Sequence, residues 1–186
     1  MQLYHLRTQR TSQDCLGQTI DVSWATSYYW QQKLEDRWVK DFPPLPEVLR
    51  QVVVGGLALA DIEPLLRHGK WAAELLKEYV FEEVRAAEFA ALPSRKKCLY
   101  GFSTSLDPHE YARMLGMPLN GRSILRIRTE AGTRVHFADA SVLNCNLLLH
   151  QQLAEQARKY WAGTEPGLPT AEALVEGRVT ICEIVR

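Results

Sequence analysis

The chain lacks several features that define common protein classes. It has no net charge, since 22 Lys and Arg residues balance 22 Asp and Glu residues, so bulk attraction to nucleic acid is not expected. No apolar run approaches the ~18 residues that suggest a membrane-spanning helix. The hydrophobic content of 46% is ordinary for a globular protein. These values argue against a membrane protein, a disordered chain and a strongly basic nucleic-acid binder.

Standard motifs are also absent. The four cysteines are widely separated and include no Cys-x-x-Cys pair, which favours free buried thiols over disulfides or a zinc site. The histidines have no partner at metal-ligand spacing, so no metal site is expected. No phosphate loop of the Walker type, no Gly-x-Gly-x-x-Gly loop and no Gly-x-Ser-x-Gly elbow occurs. The N-terminal residues do not resemble a secretory signal, so we expect a cytoplasmic location.

Hydrophobic periodicity divides the chain into a first strand, a helical block and a strand-rich second half. Residues 2–8 alternate as a strand does, whereas aromatic residues spaced four apart predict a helix in residues 23–40. Further helices are expected over residues 57–89 and 147–161, the latter with Leu149, Leu153, Ala157 and Tyr160 on one face. Later strands are expected at residues 98–102, 123–128, 134–139, 173–175 and 179–185. This order predicts a single α+β domain over residues 1–186, with two small antiparallel or mixed sheets and an N-terminal helical block.

Two local features refine this picture. Asp107 followed by Pro108 predicts the start of a short helix over residues 108–115. Glu82, Glu83 and Arg85 are expected to form a solvated face of the long helix, since charge runs on helices usually face water.

After these exclusions, three separated segments remain as candidates for chemistry. They are Tyr4-His5-Leu6-Arg7-Thr8, residues 99–113, and residues 170–179. At these segments the chain resembles the ADP-ribosyltransferase superfamily. The first resembles the Tyr-His-x-Thr strand motif of the His-Tyr-Glu branch. In the second, Tyr100 and Tyr111 are eleven residues apart, which is similar to the two site tyrosines of poly(ADP-ribose) polymerases.

The third segment, Ala171-Glu172-Ala173-Leu174-Val175, resembles the Ala-Glu-x-Leu-Val sequence of bacterial DNA-targeting ADP-ribosyltransferase toxins, in which the glutamate is catalytic. The wider pattern also looks like an uncharacterised bacterial family related to these toxins. Arg7 and the Ser103-Thr104-Ser105 segment are similar to the Arg-Ser-Glu branch of the superfamily instead. Both branches therefore remain open.

The resemblance implies an ADP-ribosyltransferase-like split between the two sheets and NAD as the substrate. It implies that Glu172 is the catalytic carboxylate, because charge develops on the ribose when the bond to nicotinamide breaks. The other implied NAD-binding residues are His5 at the adenosine-side ribose, Tyr100 or Tyr111 against nicotinamide, Arg7 or Arg95 at the pyrophosphate, and Ser103.

The expected activity is mono-ADP-ribosyl transfer of a toxin or defence type. The acceptor is a macromolecule or a small molecule, and the zero net charge favours a protein or small molecule over nucleic acid. By analogy, an antitoxin or immunity protein is a possible partner. A non-catalytic binding module on the same fold is the alternative. RNA 2′-phosphate transfer is a third reading, although it requires several basic residues gathered around phosphate.

Overall fold

A computed structural model describes residues 1–7, 16–22, 59–105, 107–110, 123–145 and 148–185. These residues form the strands β1 (Gln2–Arg7), β2 (Thr19–Asp21), β3 (Leu99–Ser103), β4 (Ser123–Thr129), β5 (Arg134–Asp139), β6 (Ala171–Glu176) and β7 (Arg178–Val185). Two long helices are α1 (Leu59–Glu88) and α2 (His150–Trp161). The helix predicted over residues 23–40 lies outside the described residues.

The strands form one antiparallel sheet in the order β2-β7-β4-β1-β3-β6-β5. Among the described strands, its two halves are joined only between β1 and β3, through the pairs Leu3–Ser103 and Tyr4–Phe102. By contrast, six residue pairs join β1 to β4. We call β2-β7-β4-β1 the first half-sheet and β3-β6-β5 the second half-sheet. The α+β class is confirmed, and the two expected sheets are continuous through this short junction.

Gly101 permits the close approach of β1 and β3 at this junction. A Cβ atom at this position would lie 2.7 Å from the Tyr4 carbonyl oxygen, which is closer than non-bonded atoms tolerate. Beyond Tyr4 and Phe102 the two strands pair no further. A glycine thus stands beside the point at which the two half-sheets separate.

The helices cover the second half-sheet. Buried residues of α1 (Val80, Phe81, Val84) and α2 (Leu153, Ala157, Tyr160, Trp161) pack with Leu174 of β6, as amphipathic helices do on a sheet. The predicted face of α2 is confirmed except at Leu149, which is 74% exposed. Leu149 precedes the first helical residue and therefore does not share the buried face.

Strand β6 is buried on both of its faces. Leu174 belongs to the helix-side core, whereas Ala173 and Val175 belong to a second core with Leu3, Leu125, Ile127, Val179 and Ile181. Side chains alternate between the faces of a strand, so Glu172 and Glu176 share the helix side with Leu174. These glutamates are the polar positions of an otherwise buried strand.

Local predictions can be compared with the same structure. The Asp107 side chain accepts a hydrogen bond from the Glu110 backbone N–H at 2.8 Å, as an N-cap does, and residues 108–110 are helical. Cys98, Cys145 and Cys182 are free thiols. Within the described ranges, no helix has the length and apolar character needed to cross a membrane. The same part of the chain holds no group of three or more potential metal ligands.

Candidate functional site

Glu172 receives two hydrogen bonds on a single carboxylate oxygen. Nη1 of Arg95 donates to Oε1 at 2.7 Å, and the Tyr160 hydroxyl donates to the same atom. The Glu172 side chain is 15% exposed, whereas that of Arg95 is only 4% exposed. The carboxylate therefore lies at the edge of a buried polar cluster.

Arg95 is held mainly by Glu78 of helix α1. Nε of Arg95 donates to Oε2 at 2.8 Å and Nη2 donates to Oε1 at 2.9 Å, which is a two-point pairing. The Glu78 side chain is 1% exposed. The guanidinium also lies 5.3 Å from the ring centroid of Tyr100 and 5.0 Å from that of Tyr160, within the range of cation–π attraction.

The charges in this cluster are set by burial and by neighbouring groups. Burial alone would lower the pKa of Arg95, but the Glu78 carboxylate, with Tyr100, Tyr160 and Glu172, holds this pKa well above its ordinary value. Burial raises the pKa of the Tyr100 and Tyr160 hydroxyls well above 10. Arg95 is therefore a cation and both tyrosines are neutral donors near pH 7.

A short 3₁₀ turn, Arg95–Lys97, places Arg95 at this position. Glu82 of α1 accepts from the Arg95 backbone N–H at 2.7 Å and from the Ser94 hydroxyl at 2.8 Å. Glu176 of β6 accepts from the Ser94 backbone N–H at 3.0 Å. The turn is thus tied to a helix on one side and to a strand on the other.

His5 occupies the region where β1 and β3 diverge. Its Nδ1 lies 2.7 Å from the Tyr100 carbonyl oxygen. Because a carbonyl can only accept a hydrogen bond, Nδ1 carries the proton in this contact. The Tyr100 hydroxyl in turn donates to the Arg95 carbonyl oxygen at 2.9 Å. His5 therefore contacts the backbone of Tyr100, the β3 residue whose side chain borders the Glu172 cluster.

The structure brings together four of the predicted site residues, namely His5, Arg95, Tyr100 and Glu172. Ser103 ends β3, and its hydroxyl lies 2.8 Å from the Ser105 hydroxyl and accepts from the Ser105 backbone N–H at 3.2 Å. These contacts are typical of a Ser/Thr turn. Arg7 ends β1 opposite Ser123. Tyr111 lies outside the described residues.

Three residues of the cluster were not predicted. Glu78 and Tyr160 contact Arg95 directly, and Glu82 was assigned to a solvated face although it is buried. That assignment is wrong because Glu82 follows the buried Phe81 on the inner face, whereas Glu83 is exposed. The sequence did contain a signal for the burial of the two glutamates, since Glu78, Phe81 and Glu82 follow the 3–4 residue spacing of one helix face.

A separate cleft of about 550 Å³ lies on the first half-sheet. Its lining residues are Gly17, Thr19, Arg128, Glu130, Ala131, Arg178 and Thr180. It contains none of the residues that the sequence singled out. The four predicted site residues that the structure brings together lie at the Arg95–Glu172 cluster and not at this cleft.

Comparison with known proteins gives a family and no activity. A search of the curated proteins finds no match to this sequence. A family model described as "Protein of unknown function (DUF2441)" matches residues 3–186. That match covers nearly the whole sequence, and the chain therefore belongs to the DUF2441 family.

Proposed function

We propose that this protein is an NAD-dependent mono-ADP-ribosyltransferase with Glu172 as its catalytic carboxylate. One observation supports the proposal most strongly. His5, Tyr100 and Glu172 come from distant parts of the chain but lie on β1, β3 and β6, which are consecutive in the sheet. A chain of contacts runs from His5 through Tyr100 and Arg95 to Glu172.

The proposed reaction transfers ADP-ribose from NAD to an acceptor. The bond between nicotinamide nitrogen and ribose C1′ breaks, and its electron pair leaves with nicotinamide. The acceptor nucleophile forms the new bond to C1′ and loses its proton to solvent. Positive charge develops on the ribose in the transition state, and the Glu172 carboxylate would stabilise this charge and accept a hydrogen bond from a ribose hydroxyl.

The remaining residues have roles that follow from their positions. His5 would contact the adenosine-side ribose, and Tyr100 or Tyr111 would stack on nicotinamide. Arg95 is engaged by Glu78 and Glu172, which favours a role on the carboxylate over the pyrophosphate contact that the resemblance implies. Arg7, two residues after His5, is then the better candidate for the pyrophosphate, and Ser103 would complete the NAD contacts.

The test is NAD turnover by the purified chain together with transfer of labelled ADP-ribose in a cell lysate. Glu172→Gln keeps the shape of the side chain but removes its charge, and we expect a loss of about 100-fold or more in turnover. Glu183→Gln is the matched control, since Glu183 is also a strand carboxylate paired with an arginine, Arg126, at 2.7 Å. Equal turnover by wild type and Glu172→Gln would refute the catalytic assignment.

A non-catalytic binding module is the second candidate. The observation that favours it is the burial of Glu78 and Arg95, because buried ion-pair networks also serve structural roles. Excess NAD distinguishes the two candidates. A ligand that binds only the folded state at 100 times its Kd adds about 2.7 kcal/mol of stability. An unchanged melting temperature together with no NAD turnover would favour the binding module.

The biological role and acceptor belong to the same proposal. A toxin or defence enzyme should arrest growth when expressed, and Glu172→Ala should relieve the arrest. Identifying the modified species in arrested cells would then define the acceptor. An antitoxin or immunity protein would be recognised by its ability to relieve arrest by the wild-type chain.

A further inference from the structure

The two oxygens of Glu172 have different surroundings. Oε1 accepts from both Arg95 and Tyr160. Among the described residues, Oε2 has no hydrogen-bond donor. If Oε2 were fully buried it would be a buried polar atom without a partner, and it is not one. The side chain is 15% exposed, and because Oε2 is not among the fully buried unpartnered atoms, part of its own surface is accessible to solvent. One oxygen is therefore held by the protein and the other is accessible to a ligand.

The groups that hold Oε1 are themselves fixed from outside strand β6. Arg95 is paired at two points with Glu78 of α1. Tyr160 lies in α2, and its ring makes edge contacts with Phe81 and Trp161 at centroid distances of 5.4 and 4.9 Å. The Tyr160 hydroxyl also accepts from Nη1 of Arg95. Two helices and a turn thus determine the orientation of one strand carboxylate.

The charges of this arrangement do not cancel. Among the described residues of this cluster, Arg95 is the one cation and faces two carboxylates, Glu78 and Glu172, and the tyrosines are neutral. Glu78 takes two of the guanidinium contacts, so Glu172 is held in place by Arg95 without being fully neutralised by it. A residual negative charge at Oε2 is what an oxocarbenium-like transition state requires.

We infer that Glu78, Arg95 and Tyr160 form a positioning clamp that fixes Oε1 of Glu172 and presents Oε2 as the oxygen that contacts the reacting ribose. This inference rests on the proposed function. The three residues act through Glu172, so they are positioning residues and not catalytic ones. Their effect is on the orientation of the carboxylate and not on the binding of NAD.

Tyr160→Phe tests the clamp with the smallest change. It removes one hydrogen bond to Oε1 and keeps the ring that packs against Phe81 and Trp161. We expect kcat to fall by about tenfold, the rate equivalent of one hydrogen bond to a charged group, with KM for NAD within about twofold of the wild-type value. Unchanged kcat, or a change confined to KM, would overturn the inference.

Val84→Ala is the control for a purely structural effect. Val84 is buried in the same core as Tyr160, and shortening it lowers stability without altering a polar contact. We expect a melting-temperature loss at least as large as that of Tyr160→Phe, with kcat unchanged. If both variants lose kcat in proportion to their stability, the clamp has only a structural role and the inference fails.

A second readout separates the clamp from the proposed activity. The Tyr160 side chain is fully buried, so its hydrogen-bonded hydroxyl proton should give a slowly exchanging downfield NMR signal. Tyr160→Phe should remove this signal, and Glu172→Gln should shift it because a neutral acceptor replaces a charged one. Absence of NAD turnover in the wild type with this signal intact would refute the proposed function but not the hydrogen-bonded positioning. A signal unaffected by Glu172→Gln would refute the positioning itself.

Discussion

The two half-sheets carry the same kind of ion pair in different surroundings. At the second half-sheet, Glu172 of β6 pairs with Arg95 of the preceding 3₁₀ turn, and their side chains are 15% and 4% exposed. In the first half-sheet, those of Arg126 and Glu183 are 37% and 47% exposed. Exposed pairs contribute little to stability because water screens them. Buried pairs matter most when one partner is removed and the other is left as an uncompensated charge.

The largest expected effect is therefore the loss of Arg95. Arg95→Met would leave Glu78 buried without its cation, and we expect a loss of about 3–5 kcal/mol in the free energy of unfolding. Urea unfolding would measure it. Glu183→Gln on the first half-sheet should change the same quantity by less than about 1 kcal/mol. Similar losses in both variants would contradict the distinction drawn between the two half-sheets.

The junction of the half-sheets can be disrupted by a substitution that alters no charged residue. In Gly101→Ala, the added Cβ would lie 2.7 Å from the Tyr4 carbonyl oxygen, so β1 and β3 must move apart. We expect a loss of about 1–3 kcal/mol in stability from this overpacking, measured by thermal unfolding.

Gly69→Ala is the natural control, because Gly69 is an exposed residue of α1 with nothing within 4 Å of an added Cβ. Alanine is the better helix former by about 0.5–1 kcal/mol, so this variant should be more stable than the wild type. If Gly101→Ala is as stable as the wild type, the junction accommodates a Cβ atom and the close approach of β1 and β3 does not require glycine.

The smallest effect concerns His136 of the second half-sheet, which stacks on Trp161 with ring centroids 5.8 Å apart. Burial lowers the pKa of His136 below its ordinary value of 6.5, although a hydrogen bond with the Tyr160 backbone acts in the opposite direction. The folded state therefore binds this proton less readily than the unfolded state. The contribution to stability is complete above about pH 6.5 and decreases as the pH falls towards the folded-state pKa.

Urea unfolding at pH 7.5 and pH 5.5 would measure this dependence. In His136→Phe the decrease in stability between the two values should be smaller than in the wild type, because the titrating group is gone. An equal decrease in both proteins would assign the pH dependence to other groups.

Much of the fold was predictable because it depends on local patterns. The alternation of β4, β5 and β7 and the apolar spacing of α1 and α2 are properties of neighbouring residues. Glu172 was a candidate for a different reason, because the segment Ala171–Val175 resembles the Ala-Glu-x-Leu-Val sequence of ADP-ribosyltransferase toxins. The wrong assignments, Leu149 and Glu82, fall at a helix end and at the border of a helix face, where periodicity discriminates least.

The sequence by itself determined the α+β class and the main helices and strands, whereas the resemblance to ADP-ribosyltransferases singled out His5, Tyr100 and Glu172 as candidates. Only the tertiary structure decided that Arg95 pairs with Glu172, that Glu78 pairs with Arg95, and that the Tyr160 hydroxyl donates to Glu172. Periodicity indicates whether a side chain faces inward but does not identify its partner. In the sequence, Glu78 and Arg95 are 17 residues apart, and Arg95 and Glu172 are 77 residues apart. They meet because long-range strand pairing and helix packing bring them together.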